Sequence, residues 1–129
     1  MAEDEGQEAG GEETYSLYRR GMALLESGDF DQATVPLRKA ARLDPEKSSI
    51  REALGRACFR AGRYEEAAEE FAAVVERYPV NDYAHFCLGR ALTKTGRRDR
   101  ARRHLAIAAN LRPERRDYRI YRERLLARS

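Results

Sequence analysis

The chain has 129 residues, 42% of them hydrophobic and 36% charged, with a net charge of +3; that is room for one domain and excludes a separate catalytic domain beside it. The longest apolar run, Phe71 to Val75, is far too short to cross a bilayer, and the acidic amino terminus shows no basic stretch followed by an apolar one. The expectation is therefore a cytoplasmic protein with no membrane partner.

Residues 1–13 come first in chain order and carry six acids and no base. Rich in Gly and Glu, with no periodic apolar residue, they predict a disordered acidic tail. From Thr14 a single long period takes over. Gly21, Gly55 and Gly89 recur at one fixed interval, as do Gly28, Gly62 and Gly96, then Ala33, Ala67 and Ala101, then Pro45, Pro79 and Pro113. Four positions in one register through three copies mark a repeat array, with units at 14–47, 48–81 and 82–115.

Each unit divides at its second glycine into two amphipathic helices, the first with Leu17, Gly21, Leu24 and Leu25, the second with Ala33, Leu37, Ala40 and Leu43. Gly28, Gly62 and Gly96 are placed to stop the first helix in a left-handed conformation. Asp29 and Asp99 follow where an acid can cap or complement the next helix. The repeated prolines end the second helix, and Pro36, inside one, predicts a bend. The repeated glycines and alanines predict close helix crossings. Cys58 and Cys87 fall inside helical patterns and are expected as buried free thiols. The last segment, 116–129, sets Tyr118, Tyr121, Leu125 and Leu126 in a stripe on an arginine-rich helix, predicted to cap the open face of the third unit.

These residues resemble the tetratricopeptide repeat family over 14–115. The pairs Leu54-Gly55 and Leu88-Gly89, the run Gly-Arg-Tyr-Glu-Glu-Ala from Gly62 to Ala67, then Phe71 and Pro79, carry the match. Arg20 and Arg98 depart from it locally. The resemblance implies an all-α, right-handed α-solenoid of three repeats with a capping helix, binding a peptide or protein surface in a concave groove lined by the first helix of each pair. Carried across by position, the groove would hold Tyr15, Tyr18 and Met22 from the first unit, Glu52, Arg56, Phe59 and Arg60 from the second, and Tyr83, Phe86, Arg90 and Lys94 from the third. Rings and cations with so few acids suit an acidic or aromatic-anchored protein segment. In the family's clamp for chaperone tails, the gripping positions correspond here to Tyr18, Met22, Ala53, Tyr83 and Cys87, which lack the required Lys, Asn and Arg donors.

The function expected is that of a non-catalytic adaptor, without cofactor, metal or catalytic residues. His85 and His104, the two histidines, lie in different helices with no acid or cysteine at ligand spacing. The alternative is a nucleic-acid- or ribosome-associated protein. Residues 85–129 hold 14 Arg or Lys against four acids, and Arg97, Arg98, Arg100, Arg102, Arg103, Arg112, Arg115, Arg116, Arg119 and Arg122 could meet phosphates, with Tyr118 and Tyr121 as stacking groups. A monomer is expected, with self-association left open. The acidic tail would serve solubility or compete weakly for the basic groove.

Overall fold

Glycines set where this chain turns. Gly28, Gly62 and Gly96 adopt φ of 84°, 82° and 81°, a region where a side chain costs roughly 1 kcal/mol or more. There the backbone closes back on the helix just ended, with the N–H groups of Asp29, Arg63 and Arg97 donating to the carbonyls of Leu24, Cys58 and Leu92. The resulting chain, in a computed structural model that describes residues 2–127 and their side chains from Gly11 onward, consists of seven helices among the described residues. They are α1 (Ala2–Glu26), α2 (Phe30–Leu43), α3 (Ser48–Arg60), α4 (Tyr64–Arg77), α5 (Asp82–Lys94), α6 (Arg98–Leu111) and α7 (Arg116–Ala127). Successive helices pack on one another, α1 also touches α3, and α3 touches α5. The result is an all-α solenoid of three helix pairs closed by α7.

Within each pair the first helix presents a glycine to a large side chain of the second: Gly21 to Leu37, Gly55 to Phe71, Gly89 to Leu105. Ala33, Ala67 and Ala101 are fully buried beside them. Between units, ion pairs repeat with the period of the array. Arg63 reaches Asp31 at 2.7 Å and Arg97 reaches Glu65 at 3.1 Å. Arg38 forks onto Glu66 at 2.9 and 3.0 Å; this bond holds the Glu66 carboxyl below the usual carboxylate range.

Three expectations differ in detail. Residues 1–13 read as a disordered tail, yet α1 runs back to Ala2; Ala, Glu and Gln are strong helix formers, and acids favour a helix amino terminus. Met1, Arg128 and Ser129 lie outside the described residues. Asp29 does not cap α2 with its side chain, because its carboxylate accepts the Ser27 hydroxyl at 2.8 Å; Asp99 sits inside the first turn of α6, paired with Arg102. The side-chain cap belongs to Asn81, which accepts from the Ala84 N–H at 3.0 Å. Leu126 is 51% exposed, so the covering stripe of α7 consists of Tyr118, Tyr121 and Leu125. Pro36 is buried within α2, which continues to Leu43. Both cysteines are buried and free, and burial pushes Cys58 up to about 12.

The two histidines meet. Their Nδ1 atoms lie 3.0 Å apart, and His85 Nε2 is 2.7 Å from the Pro79 carbonyl oxygen. The carbonyl requires an N–H on His85 Nε2, which leaves its Nδ1 to accept from His104. Burial first, then His85, Arg100 and Arg103, push His104 down to about 4. An unfolded histidine titrates near 6.5, so the unfolded chain takes up this proton first as pH falls. The stability the neutral ring provides is complete above pH 6.5 and is lost progressively between about 6.5 and 4. Melting temperatures measured across that range should fall less steeply in His104→Gln than in the wild type. Equal slopes would show that His104 keeps its ordinary affinity for protons in the fold.

Candidate functional site

The first helices of the pairs carry cations at two positions one helical turn apart, Arg56 and Arg60 on α3, then Arg90 and Lys94 on α5. Positions four apart share a helix face, and the repeat period puts the two pairs in register along the array. A cavity of about 260 Å³ opens there, lined by Leu25, Phe30, Arg56, Phe59, Arg60, Phe71, Tyr83, Cys87 and Arg90. Its floor is apolar because Phe71, 1% exposed, fills the space that Gly55 leaves. Its rim is three guanidinium groups, and among the described residues no acid lines it.

Aromatic faces hold two of these cations. Arg60 lies over the Phe30 ring at 4.3 Å, and Arg90 lies 4.7 Å from the centroid of Phe59 and 4.9 Å from that of Tyr121. Lys94 stands 5.8 Å over Tyr64. Among the described residues, none of Arg56, Arg60, Arg90 and Lys94 pairs with a carboxylate. Several arginines on the second helices and turns are paired with acids instead, among them Arg38, Arg63, Arg97, Arg112 and Arg115. The groove therefore keeps its positive charge. Burial raises the affinity of Tyr83 and Cys87 for their protons, Cys87 to about 11, so both floor groups are neutral and add no charge to oppose an anion.

The residues expected from sequence divide into three sets. Arg56, Phe59, Arg60, Tyr83 and Arg90 converge on the cavity, and Lys94 lines a neighbouring one with Phe59 and Arg90. Tyr15 and Tyr18 stand apart, in a smaller cavity of about 170 Å³ with Ser49 and Ile50 at the α1 end, where Tyr15 is 61% exposed. Met22 packs against the core, Glu52 accepts from Asn81 Nδ2 at 2.6 Å, and Phe86 is covered. Phe86 is 6% exposed, with Tyr118 at 4.6 Å and Tyr121 at 5.2 Å between ring centroids; it joins α5 to α7 instead of facing a ligand. Sequence reasoning did not place Phe30, Phe71 or Tyr121 in the groove. Phe30 had a signal, since it holds in the first unit the place that Tyr64 holds in the second.

Tyr118 is fully buried and donates to Asp82 at 2.7 Å, so it cannot stack on a base, and Tyr121 is engaged by Phe86 and Arg90. Arg97, Arg102, Arg112 and Arg115 carry intramolecular acids. These contacts remove Tyr118 and several of the cations from the nucleic-acid reading. No helix among the described residues is long and apolar enough to cross a membrane.

Comparison with known proteins agrees with this geometry. A family model described as tetratricopeptide repeat matches residues 18–82, and a second of the same description matches residues 61–128. A small glutamine-rich tetratricopeptide repeat-containing protein 2 of Mycosarcoma maydis is 35% identical over 63 residues, 49% of this chain and 18% of that protein. Superkiller complex protein 3 of Homo sapiens is 33% identical over 70 residues, 54% of this chain and 4% of that protein. The chain thus spans less than a fifth of either relative. Among solved structures, MamA from Desulfovibrio magneticus RS-1 superposes with a TM-score of 0.85 at 24% identity, over 89% of this chain and 65% of that one. The first TPR of Spaghetti (RPAP3), bound to the HSP90 peptide SRMEEVD, superposes with a TM-score of 0.84 at 16% identity, over 90% of this chain and 92% of that one.

Proposed function

Because the chain belongs to the tetratricopeptide repeat family, whose stacked helix pairs form extended concave binding surfaces, we propose that it is a non-catalytic adaptor binding an acidic protein segment in its groove. The observation that carries this reading is the three guanidinium groups around one apolar cavity with no carboxylate partner among the described residues. A guanidinium without an acid is a strong donor to an incoming carboxylate, and the stacked rings hold two of the three in place before the ligand arrives. The apolar floor takes an aromatic or aliphatic anchor from the same segment. A related fold holding the peptide SRMEEVD supports the choice of a short acidic ligand. Here Tyr18, Met22, Ala53, Tyr83 and Cys87 occupy the places of the chaperone-tail donors, so the segment preferred is a different one.

Arg56 and Arg60 are both exposed, so Arg56→Glu with Arg60→Glu reverses the rim without disturbing the core. Binding to fluorescein-labelled Glu-Phe-Glu peptides, read by anisotropy at low salt, should fall about tenfold or more, as lost charge-assisted bonds of about 1.5–3 kcal/mol each imply. The melting temperature should stay within a few degrees. Unchanged affinity in a folded variant would remove the groove from the function. Binding that persists there but disappears on adding salt would move it to the arginines of α6 and α7.

A further inference from the structure

The cationic ladder does not stop at α5. Arg124 follows Arg90 at the same interval at which Arg90 follows Arg56. Helix α7 is therefore in register with the groove-lining helices α3 and α5, although its apolar stripe reads as a lid. A second cavity of about 380 Å³ opens between α5 and α7, lined by Phe59, Arg90, Thr93, Lys94, Leu105, Tyr121, Arg124 and Leu125. It shares Phe59 and Arg90 with the first, adds two cations of its own, Lys94 and Arg124, and among the described residues has no acid in its lining.

Arg90 is the partition between the two. Its guanidinium lies between the Phe59 ring of α3 and the Tyr121 ring of α7, at 4.7 and 4.9 Å from their centroids. With no carboxylate partner among the described residues, its N–H donors can serve an anion in either cavity. Arg124 lies 5.9 Å from the Tyr121 centroid, and among the described residues neither Lys94 nor Arg124 has a carboxylate partner. Tyr121 is half-buried and supplies an aromatic wall, with Leu105 and Leu125 as the apolar base.

We infer that α7 builds a second binding subsite, and that the groove takes a segment with two apolar anchors, each flanked by carboxylates and only a few residues apart. This rests on the adaptor reading above and adds to it a ligand class: the first anchor enters the cavity under Arg56 and Arg60, the chain crosses Arg90, and the second enters between Tyr121 and Lys94 with its acids toward Arg124. Two linked anchors bind more tightly than either alone because the second engages at high effective concentration.

The test uses two fluorescein-labelled peptides of equal charge, Glu-Phe-Glu-Gly-Glu-Phe-Glu and Glu-Phe-Glu-Gly-Glu-Gly-Glu, against the full chain and two exposed charge reversals. The two-anchor peptide should bind the wild type about tenfold or more tightly than the one-anchor peptide. Lys94→Glu with Arg124→Glu should erase that gain and leave one-anchor binding within a few-fold, whereas Arg56→Glu with Arg60→Glu should weaken both peptides. A gain that is absent, or that survives the Lys94/Arg124 reversal while the Arg56/Arg60 reversal still weakens both peptides, overturns the second subsite and leaves the groove standing. No response to either reversal, or no wild-type binding of either peptide at roughly millimolar concentration, overturns the adaptor reading and this inference with it.

Discussion

Gly89→Leu should leave the chain without a cooperative thermal transition. A Cβ at this position would sit 2.6 Å from Leu105 Cγ, 2.7 Å from its Cδ2 and 3.3 Å from the Ala101 carbonyl oxygen. Leu105 is 1% exposed and Ala101 fully buried, so the new atoms can be accommodated only by driving α5 and α6 apart. A single extra methyl group in such a crossing costs about 1–3 kcal/mol, and leucine adds three further carbons to it. Small domains are stable by about 5–15 kcal/mol, so a substitution of this size consumes most of the margin. Gly96→Ala is the control. No atom lies within 4 Å of its Cβ position, so the cost there is conformational, about 1 kcal/mol, and the melt should shift without losing its sharpness. The milder Gly89→Ala should be partly relieved by adding Leu105→Ala, since the clash lies between those two side chains. Circular dichroism melts of the four variants check the ranking. A Gly89→Leu protein that melts like Gly96→Ala would show that the crossing tolerates spreading.

Removing residues 116–129 should have an effect of similar size by the opposite route, exposing surface instead of crowding it. Tyr118 is fully buried and Leu125 4% exposed, and Tyr121 packs against the core. Each large buried side chain contributes about 1.5–3 kcal/mol through burial, so the helix supplies roughly 5 kcal/mol. Its loss would also uncover Phe86. The truncated chain is expected to show weakened helical signal at room temperature and to self-associate, with light scattering reporting the second effect. Tyr118→Phe keeps the ring and loses only the bond to Asp82, a loss of about 1 kcal/mol. If the truncated chain melts within a few degrees of the intact one, α7 does not close the array.

The sequence was most readable where one interaction recurs. Gly55 against Phe71 is repeated as Gly21 against Leu37 and Gly89 against Leu105, so the periodic glycines located the crossings and the helix pairs directly. Arg56 and Arg90 were legible for the same reason. Phe86 was not: whether a ring faces a ligand or the next helix depends on what α7 brings to it, and Tyr118 arrives from two helices further along the chain. Tyr121 was read as part of the covering stripe of α7 and as a stacking group for nucleic acid, and not as a wall of the groove, because α7 lies beyond the last full unit. Arg124 continues the spacing of Arg56 and Arg90, so that signal was present but lay beyond the last full unit. The meeting of His85 with His104 had no signature, since they belong to different helices and their contact depends on how α5 lies against α6.

The stack of Phe59, Arg90 and Tyr121 joins helices from three successive units. A solenoid is a spring whose curvature depends on the spacing of its coils, and here one planar cation wedged between two rings acts as the spacer on the inner side. Shortening it, as in Arg90→Ala, removes both ring contacts and is expected to let α3 and α7 draw together. The width of the concave face is therefore expected to change with a side chain that a ligand can also grip, which would couple occupancy of the groove to the curvature of the array.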